Sequence, residues 1–238
     1  FLRITQRPVQ PSIYEYCDSL GLMTQTDLPL FGVLRRNKWA EAVRQAAEME
    51  RLVRSHPCNV LISYINEAFP NARNEPHRHL QRHELDSFIE AADRAVHIEN
   101  PDRMIKPHDG DYDPPEPGLP DHHCYTGWYN GHGLGIGRLH RGYWQPVKRG
   151  WYYGCGEFGA EGLDPVTVME RHYPASWLPH SAEEERDWSP NRIIKSQTGR
   201  YHYMWFDTQH SLSDWVRESH EHQAFVTRLM TEAFRRDA

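Results

Sequence analysis

The sequence predicts an α/β fold built on a parallel sheet, and two observations carry this prediction. Strand-forming runs alternate with stretches of helical periodicity, a pattern that favours parallel pairing through crossover helices. The length of 238 residues is near the roughly 250 residues typical of one (β/α)8 TIM barrel. We therefore expect one domain over 1–238, comprising strands two to seven of such a barrel and truncated at both ends. An open doubly wound sheet is the alternative.

The first part of the chain carries three predicted strands and two predicted helices. Pro11 in the first turn and Gly21 just past the end delimit a short helix. Asn37 is positioned to cap a second helix. The apolar positions of that helix recur every three or four residues, namely Trp39, Val43, Ala46, Met49 and Val53. The predicted strands span 1–5, 22–27 and 59–65.

The second part of the chain continues the alternation. A helix is predicted over 78–98, with its inward positions at Leu80, Phe88, Ala91, Ala92 and Ala95. A long amphipathic helix is predicted over 213–236, with Val216, Phe225, Leu229 and Ala233 spaced for packing. The proline-rich stretch 113–120 indicates a loop. The predicted strands span 103–108, 122–125 and 151–155, which brings the total to six.

Composition excludes several classes of partner. The net charge of −6 and the mean hydropathy of −0.80 argue against nucleic acid and membrane partners. No apolar run approaches the roughly 18 residues of a spanning helix. Aromatic residues make up 12% of the chain, enough to supply stacking surfaces for sugar rings. A neutral small molecule or polymer is therefore the expected partner.

Two glutamates follow predicted strands and indicate chemistry. Glu67 comes after Asn66 at the end of the apolar run that starts at Asn59, and Glu157 follows the strand predicted over 151–155. A buried carboxylate is costly unless something uses it, and barrel active sites lie at strand carboxyl ends. A lone glutamate of this kind more often forms a surface ion pair or caps a helix. A pair in this setting suggests a glycosidase.

Five motifs stand in an order that resembles the catalytic barrel of glycoside hydrolase family 2. They are Phe1-Leu-Arg-Ile-Thr5, Tyr14-Glu-Tyr-Cys-Asp-Ser-Leu-Gly-Leu22, Val53-Arg-Ser-His-Pro-Cys-Asn-Val-Leu-Ile-Ser-Tyr-Ile-Asn-Glu67, Tyr125-Thr-Gly-Trp-Tyr129 and Glu157-Phe-Gly-Ala160. Each motif alone is unspecific, whereas the ordered set covers most of the chain. The resemblance implies N-terminal β-sandwich domains and a last barrel strand in a longer parent polypeptide.

The same resemblance implies roles for individual residues. Glu67 would be the acid/base and Glu157 the nucleophile of a retaining exo-β-glycosidase. Asn66 would contact the sugar 2-hydroxyl. Arg3 would support the nucleophile from strand two of the barrel, and the hydroxyl of Tyr125 would lie near it. No cofactor and no metal are expected.

A retaining mechanism requires the two carboxyl groups to differ in protonation. One must be ionised to attack the anomeric carbon and the other protonated to donate to the leaving oxygen. Identical side chains differ only through their surroundings. A nearby cation and hydroxyl lower the pKa of one, and an apolar wall with like-charge repulsion raises the pKa of the other. The two groups are then expected about 5 to 5.5 Å apart.

Other residues are weaker candidates. His56, before a proline, is expected to be structural, with its ring bonded to the backbone. Trp128 and Tyr129 form either a sugar-stacking wall or the closure of the barrel top. Asp27 either bonds a sugar hydroxyl or caps the next helix. Trp205 is a candidate platform for a sugar subsite.

Two other functional classes compete with this hypothesis. A metal-dependent hydrolase could use His77, His79 and His83, of which the last two have i, i+4 spacing, or the acidic loops over 108–113 and 121–123. The HExxH pattern is absent, however, which argues against it. A non-catalytic carbohydrate-binding barrel would require replacement of one carboxylate, and both are present.

The resemblance leaves the sugar open. Family 2 includes β-galactosidases, β-glucuronidases, β-mannosidases and exo-glucosaminidases. The segment from Tyr125 to Tyr129 resembles the β-glucuronidase pattern locally, while a neutral sugar, a β-galactoside first, is our expectation. The expected partners are a carbohydrate substrate, the rest of the parent polypeptide and, in a homo-oligomer, further copies of the chain.

Overall fold

A computed structural model describes residues 1–68, 79–110, 123–125, 127–128 and 155–237. The chain divides into two compact units. The first unit comprises the described residues of Phe1–His122 and Gly150–Gly156, and the second those of His123–Arg149 and Glu157–Ala238. Among the described residues, no helix combines the length and apolar character needed to cross a bilayer.

Parallel strands form the centre of the first unit. Its strands are β1 (Leu2–Ile4), β2 (Thr24–Asp27), β3 (Asn59–Ser63), β4 (Ile65–Asn66), β5 (Met104–Ile105) and β6 (His108–Asp109). The first three and β5 make a sheet in the order β1-β2-β3-β5, and β4 pairs with β6. Every pairing is parallel, which confirms the predicted α/β class. The strands of the described residues do not close into a barrel.

The strand predicted over 59–65 is interrupted at Tyr64. The N–H groups of Tyr64 and Ile65 both donate to the carbonyl of Pro107, at 3.1 and 3.2 Å. The Tyr64 ring is fully buried, and its hydroxyl donates to Asp93 Oδ1 at 2.9 Å. Burial raises the pKa of Tyr64. The break divides the predicted strand into β3 and β4, which belong to different sheets.

Three helices pack in the first unit: α1 (Pro11–Leu20), α2 (Trp39–Val53) and α3 (Arg82–Glu99). The prediction for α1 is confirmed, and Gly21 adopts the left-handed φ of 65° that a helix C-terminus favours. Asn37 does not cap α2, because it lies inside a 3-10 turn, Arg36–Lys38, that leads into the helix.

The start of α3 lies four residues later than predicted. The backbone N–H of Gln81 donates to Glu84 Oε2 at 2.8 Å, and the Gln81 side chain accepts from the Glu84 N–H in return. This capping box fixes the first turn. The buried face of the helix consists of Leu85, Phe88, Ile89, Ala92 and Val96, whereas the predicted Ala91 and Ala95 are half-buried.

A buried ion pair ties α2 to the residues before β5. Arg103 donates from Nε to Glu50 Oε2 at 2.8 Å and from Nη2 to Glu50 Oε1 at 3.0 Å. Arg103 also donates to the carbonyl of Asn59, and Asn100 Nδ2 donates to Glu50 at 2.8 Å. Because Glu50 is fully buried, these donors compensate its lost hydration.

Removal of one partner of this pair should destabilise the protein strongly. Arg103→Met leaves the Glu50 carboxylate buried and unpaired, so we expect a loss of about 3–5 kcal/mol in the free energy of unfolding. Urea denaturation measures this loss. Arg44→Met is the control, because Arg44 pairs with Glu41 and Glu48 on an exposed surface and should change stability little. Equal losses in the two variants would contradict the account.

Helices and 3-10 turns make up most of the regular structure described in the second unit. Its helices are α4 (Val166–His172), α5 (Ala182–Arg186), α6 (Thr198–Tyr201) and α7 (Leu212–Asp237), with 3-10 turns at Ala175–Trp177, Pro190–Arg192 and His202–Met204. The long α7 confirms the predicted C-terminal helix. Phe225 is half exposed, and its neighbour Val226 is buried instead.

Two buried indoles organise the core of this unit. Trp188 Nε1 donates to the carbonyl of Trp177 at 2.7 Å, and Trp215 Nε1 donates to the carbonyl of Trp188 at 3.0 Å. The strand predicted over 122–125 is reduced to an isolated parallel bridge between Cys124 and Phe158. Most of the strand predicted over 151–155, and the loop over 113–120, lie outside the described residues.

Candidate active site

A buried charged network lies among β1, β2, β4 and β6 of the first unit. Arg3 donates from Nε and Nη2 to Asp27 Oδ2, at 3.0 and 2.5 Å. Its Nη1 lies 2.7 Å from Asp109 Oδ1, and its Nη2 donates to Asn66 Oδ1 at 2.7 Å. The three acceptors are the last residues of their parallel strands, so the topology itself gathers them at one edge.

Asp109 collects three donors in this network. Besides Arg3, Gln25 Nε2 donates to Asp109 Oδ2 at 2.6 Å, and Lys106 Nζ donates to the same oxygen at 2.5 Å. The side chain of Asp109 is fully buried. Asp27 receives further donors from the Gln6 N–H and from Gln25. The charges of Arg3, Lys106 and the two aspartates balance, which makes their burial tolerable.

Asp27 therefore has a partner that the sequence analysis did not foresee. Its contacts are with Arg3, Gln6 and Gln25, and none of them is at the start of a helix. Burial raises the pKa of Asp27, and the Arg3 guanidinium opposes that rise. The carboxylate is 1% exposed, so it holds Arg3 in place within the network.

Glu67 follows Asn66 in an unusual backbone conformation. Its φ is 46°, in the left-handed region, which costs a non-glycine residue of order 1–3 kcal/mol. The Glu67 N–H donates to the carbonyl of Asp109 at 2.7 Å, and the next residue, Ala68, is fully buried. The backbone is thus fixed on both sides of Glu67. Its side chain is half-buried.

Three members of the network were not identified from the sequence: Gln25, Lys106 and Asp109. A signal existed for two of them, because Lys106 and Asp109 lie in and just after the strand predicted over 103–108, where a charged residue needs a partner. Sequence analysis assigned the acidic residues there to a loop with a possible metal role. Gln25 carried no such signal, because it is uncharged and one of its two partners, Asp109, lies 84 positions away.

His108 lies in β6 and is buried. Burial, together with the positive charges of Arg82 and Lys106, lowers its pKa from 6.5 to about 3. Between these values the unfolded chain binds a proton that the native protein does not. Low pH therefore favours unfolding, and the contribution of neutral His108 to stability is lost as pH falls below about 6.5.

His108→Gln should flatten this pH dependence. In the wild type this group alone contributes a slope of about 1.4 kcal/mol per pH unit on the acid side. The unfolding free energy measured between pH 6 and pH 4 should fall less steeply in the variant. His83→Gln, at an exposed position of α3, is the control and should keep the wild-type slope. An unchanged slope in His108→Gln would contradict a depressed pKa.

Glu157 lies in the second unit beside Tyr125. The Tyr125 hydroxyl donates to Glu157 Oε2, and His123 Nδ1 lies 3.7 Å from the same oxygen. The Cys124 N–H donates to the carbonyl of Glu157 at 2.9 Å, which holds the two segments side by side. The Glu157 side chain is 25% exposed, whereas His123 is buried. The carboxylate is therefore anchored by a hydroxyl yet open to a ligand.

Two aromatic side chains of the same unit were candidates for sugar subsites, Trp128 and Trp205. Trp128 contacts Tyr125 edge to face at 5.5 Å, and Tyr129 lies outside the described residues. Trp205 stacks on the ring of His222, with centroids 5.8 Å apart. Its Nε1 is buried and has no hydrogen-bond partner in the described part of the chain. One face of Trp205 is thus already covered.

The structure also bears on the rival candidates. His79 precedes α3 and bridges to Arg35, while His83 is exposed on the helix. The i, i+4 interpretation of this pair is therefore wrong, because only His83 is helical. His77 and residues 111–122 lie outside the described ranges. His56 bonds Asp18 at 2.7 Å rather than the backbone, and it stacks on Tyr14.

The two candidate carboxylates belong to different units. Glu67 and Asn66 belong to the first unit, together with Arg3. Glu157 belongs to the second unit, with Tyr125 and Trp128. The structure brings together Asn66, Arg3 and Asp27 in the first, and Glu157 with Tyr125 in the second.

Comparisons with known proteins give structural matches. No family model and no curated protein match the chain. A β-D-mannosidase from Dictyoglomus thermophilum matches with a TM-score of 0.68 and 16% identity over 98% of this chain. A β-glucuronidase from an uncultured Clostridium sp. matches with a TM-score of 0.54 and 15% identity over 98%. A β-glucuronidase from Parabacteroides merdae matches with a TM-score of 0.51 and 15% identity over 67%.

These matches show the fold. The chain spans 29%, 34% and 20% of the lengths of these three proteins, in that order. The shared architecture is a TIM-barrel-like α/β fold with a parallel sheet. The structural neighbours include proteins named as a β-mannosidase and as β-glucuronidases.

Proposed function

We propose that this chain carries the catalytic residues of a retaining exo-β-glycosidase of the glycoside hydrolase family 2 type. It hydrolyses a terminal β-linked sugar through a covalent glycosyl-enzyme, with Glu157 as nucleophile and Glu67 as acid/base. The observation that carries the proposal is the hydrogen bond from Tyr125 to Glu157. The resemblance to family 2 implies a tyrosine hydroxyl beside the nucleophile.

In the first step, an oxygen of Glu157 attacks the anomeric carbon while the bond to the leaving oxygen breaks. Glu67 gives its proton to that oxygen, so the aglycone leaves as a neutral alcohol. This step needs an ionised Glu157. The Tyr125 hydroxyl donates a hydrogen bond to Glu157 Oε2 and so orients the carboxylate.

In the second step, water replaces the enzyme at the anomeric carbon. Ionised Glu67 takes a proton from water, the water oxygen bonds to the anomeric carbon, and the ester to Glu157 breaks. Two displacements at one carbon give net retention of configuration. Glu67 ends protonated and Glu157 ionised, as at the start.

Asn66 contacts the sugar in this proposal, and Arg3 orients Asn66. An arginine donates hydrogen bonds and accepts none, so the contact at 2.7 Å fixes the Asn66 amide with Oδ1 toward Arg3. The Asn66 Nδ2 is then the group that donates to the sugar 2-hydroxyl. Arg3 supports the site by orienting this amide, and Asp27 holds Arg3. Trp128 and Trp205 are proposed as walls of the sugar subsites.

A panel of aryl β-glycosides tests the proposal. The panel contains a β-galactoside, which is the expectation from the sequence, together with a β-mannoside and a β-glucuronide, which the names of the structural neighbours suggest. We expect turnover of at least one of them, with unchanged activity after treatment with a chelator. Binding of a sugar without turnover would favour the non-catalytic barrel. Loss of activity with the chelator would favour the metal-dependent hydrolase.

A further inference from the structure

Two side chains of helix α7 contact Gly127, which lies two positions after Tyr125. His222 Nε2 lies 2.7 Å from the carbonyl oxygen of Gly127. One turn further along α7, Val226 lies against the Cα of the same glycine. A Cβ at position 127 would come within 2.6 Å of Val226 Cγ2 and 2.7 Å of Cγ1. Only glycine therefore allows this close approach.

A series of contacts connects Gly127 to the carboxylate of Glu157. The Trp128 N–H donates to the carbonyl of Tyr125 at 2.8 Å, so Gly127 lies inside a turn closed by these two residues. Their rings contact edge to face at 5.5 Å. The Tyr125 hydroxyl donates to Glu157. A shift of Gly127 would therefore move the hydroxyl that bonds Glu157.

His222 is itself held in one orientation. Its ring stacks on Trp205 at 5.8 Å and lies 5.7 Å from the ring of Phe206. Burial lowers its pKa, while the bond to the Gly127 carbonyl acts in the opposite direction. A carbonyl only accepts hydrogen bonds, so Nε2 is the nitrogen that carries the proton in this contact.

We propose that His222 is a positioning residue, which holds the Tyr125–Trp128 turn through Gly127 and so keeps the Tyr125 hydroxyl on Glu157. The expected effect of His222 on catalysis rests on the proposed function. The contact itself can be tested without any activity. His222 touches neither reacting carboxylate in the described contacts, so its effect must pass through the turn.

Amide hydrogen exchange tests the contact directly. His222→Phe keeps a ring for Trp205 but loses the donor, whereas His222→Gln keeps a donor. We expect faster exchange in the peptide spanning 123–128 for the phenylalanine variant, and near wild-type exchange for the glutamine variant. His220→Phe is the matched control, because His220 lies on the same helix but bonds the carbonyl of Leu163. Equal exchange in both phenylalanine variants would overturn the proposal.

Labelling by a 2-fluoro glycoside tests the effect on Glu157. We expect His222→Phe to slow formation of the glycosyl-enzyme by roughly 10- to 100-fold, because small misplacements at a reacting centre have effects of this size. In a Tyr125→Phe background the same substitution should cause little further loss of rate, since His222 acts through the Tyr125 hydroxyl, which is then already absent. Losses that multiply in the double variant would overturn the proposal.

A second pair of variants keeps the proposal testable if His222→Phe does not fold. Gly127→Ala should slow labelling, because the added methyl meets Val226. Val226→Ala in addition should restore part of the rate, since it removes the two carbon atoms that lie within 2.7 Å of the added group. Absence of this rescue would contradict the proposal that contacts of α7 with Gly127 position the turn. A wild type that is not labelled at Glu157 would refute the proposed function, while the exchange result would still decide the contact.

Discussion

Glu157→Gln is expected to lower turnover of an aryl β-glycoside by roughly 10⁴-fold or more, as for removal of a covalent nucleophile. The amide keeps the size of the side chain and can still contact Tyr125. It cannot form the covalent bond to the sugar. The measurement is kcat on the preferred glycoside of the panel, with thermal unfolding as a check on the fold.

Glu161→Gln is the matched control for this variant. Glu161 lies four positions further along, and its carboxylate accepts from the Thr198 N–H and from Ser196 Oγ. Its contacts are those of a cap at the start of α6, so most of the turnover should survive. A loss below about tenfold in Glu157→Gln, or an equal loss in both variants, would remove Glu157 from the role of nucleophile.

The loss of turnover in Glu67→Ala is expected to depend on the leaving group of the substrate. Alcohols with a high pKa need a proton on departure, and activated phenols do not. We therefore expect a large loss of turnover for glycosides with poor leaving groups and a much smaller loss for activated aryl glycosides. Azide should restore part of the rate, because it attacks the glycosyl-enzyme without a general base.

The surroundings of Glu67 make this a specific test. Alanine at position 67 leaves the backbone bond to Asp109 intact and keeps the positive φ. The fold is therefore expected to persist, so that kinetic changes report on the carboxyl group. Equal losses for good and poor leaving groups, without rescue by azide, would remove Glu67 from the acid/base role.

Local signals explain which elements could be predicted from the sequence. Proline at the start and glycine at the end of α1 act within a few residues, and both ends of that helix agree with the structure. The break at Tyr64 could not be predicted in this way. At the break, the N–H groups of Tyr64 and Ile65 both donate to the carbonyl of Pro107, which lies between β5 and β6. Nothing in an apolar run of β-branched residues reports such a partner.

Only part of the candidate site could be predicted from the sequence, because many of the contacting residues are distant from one another in the chain. The resemblance to family 2 suggested the proximity of Tyr125 and Glu157, and these side chains bond each other. The network of Arg3 and Asp109 joins residues from four strands, namely β1, β2, β4 and β6. Charged residues in strands show that partners must exist, but the pairing depends on how the parallel strands align.

The buried face of α7 differs from the prediction by one position. Phe225 was predicted to pack, yet Val226 is buried and contacts Gly127. In a long helix, a shift of one position turns a side chain by about 100°. The position that contacts the rest of the unit is therefore decided by packing against segments distant in sequence.

Trapping of the glycosyl-enzyme tests the central claim most directly. A 2-fluoro sugar with a good leaving group slows both steps but still allows the first, so the covalent intermediate should accumulate. Mass spectrometry of a digest should find the added mass of the sugar on the peptide that contains Gly156, Glu157 and Phe158, and the hydrolysis product should retain its anomeric configuration. A label on another carboxylate, or a product of inverted configuration, would contradict the assignment of Glu157 as the nucleophile.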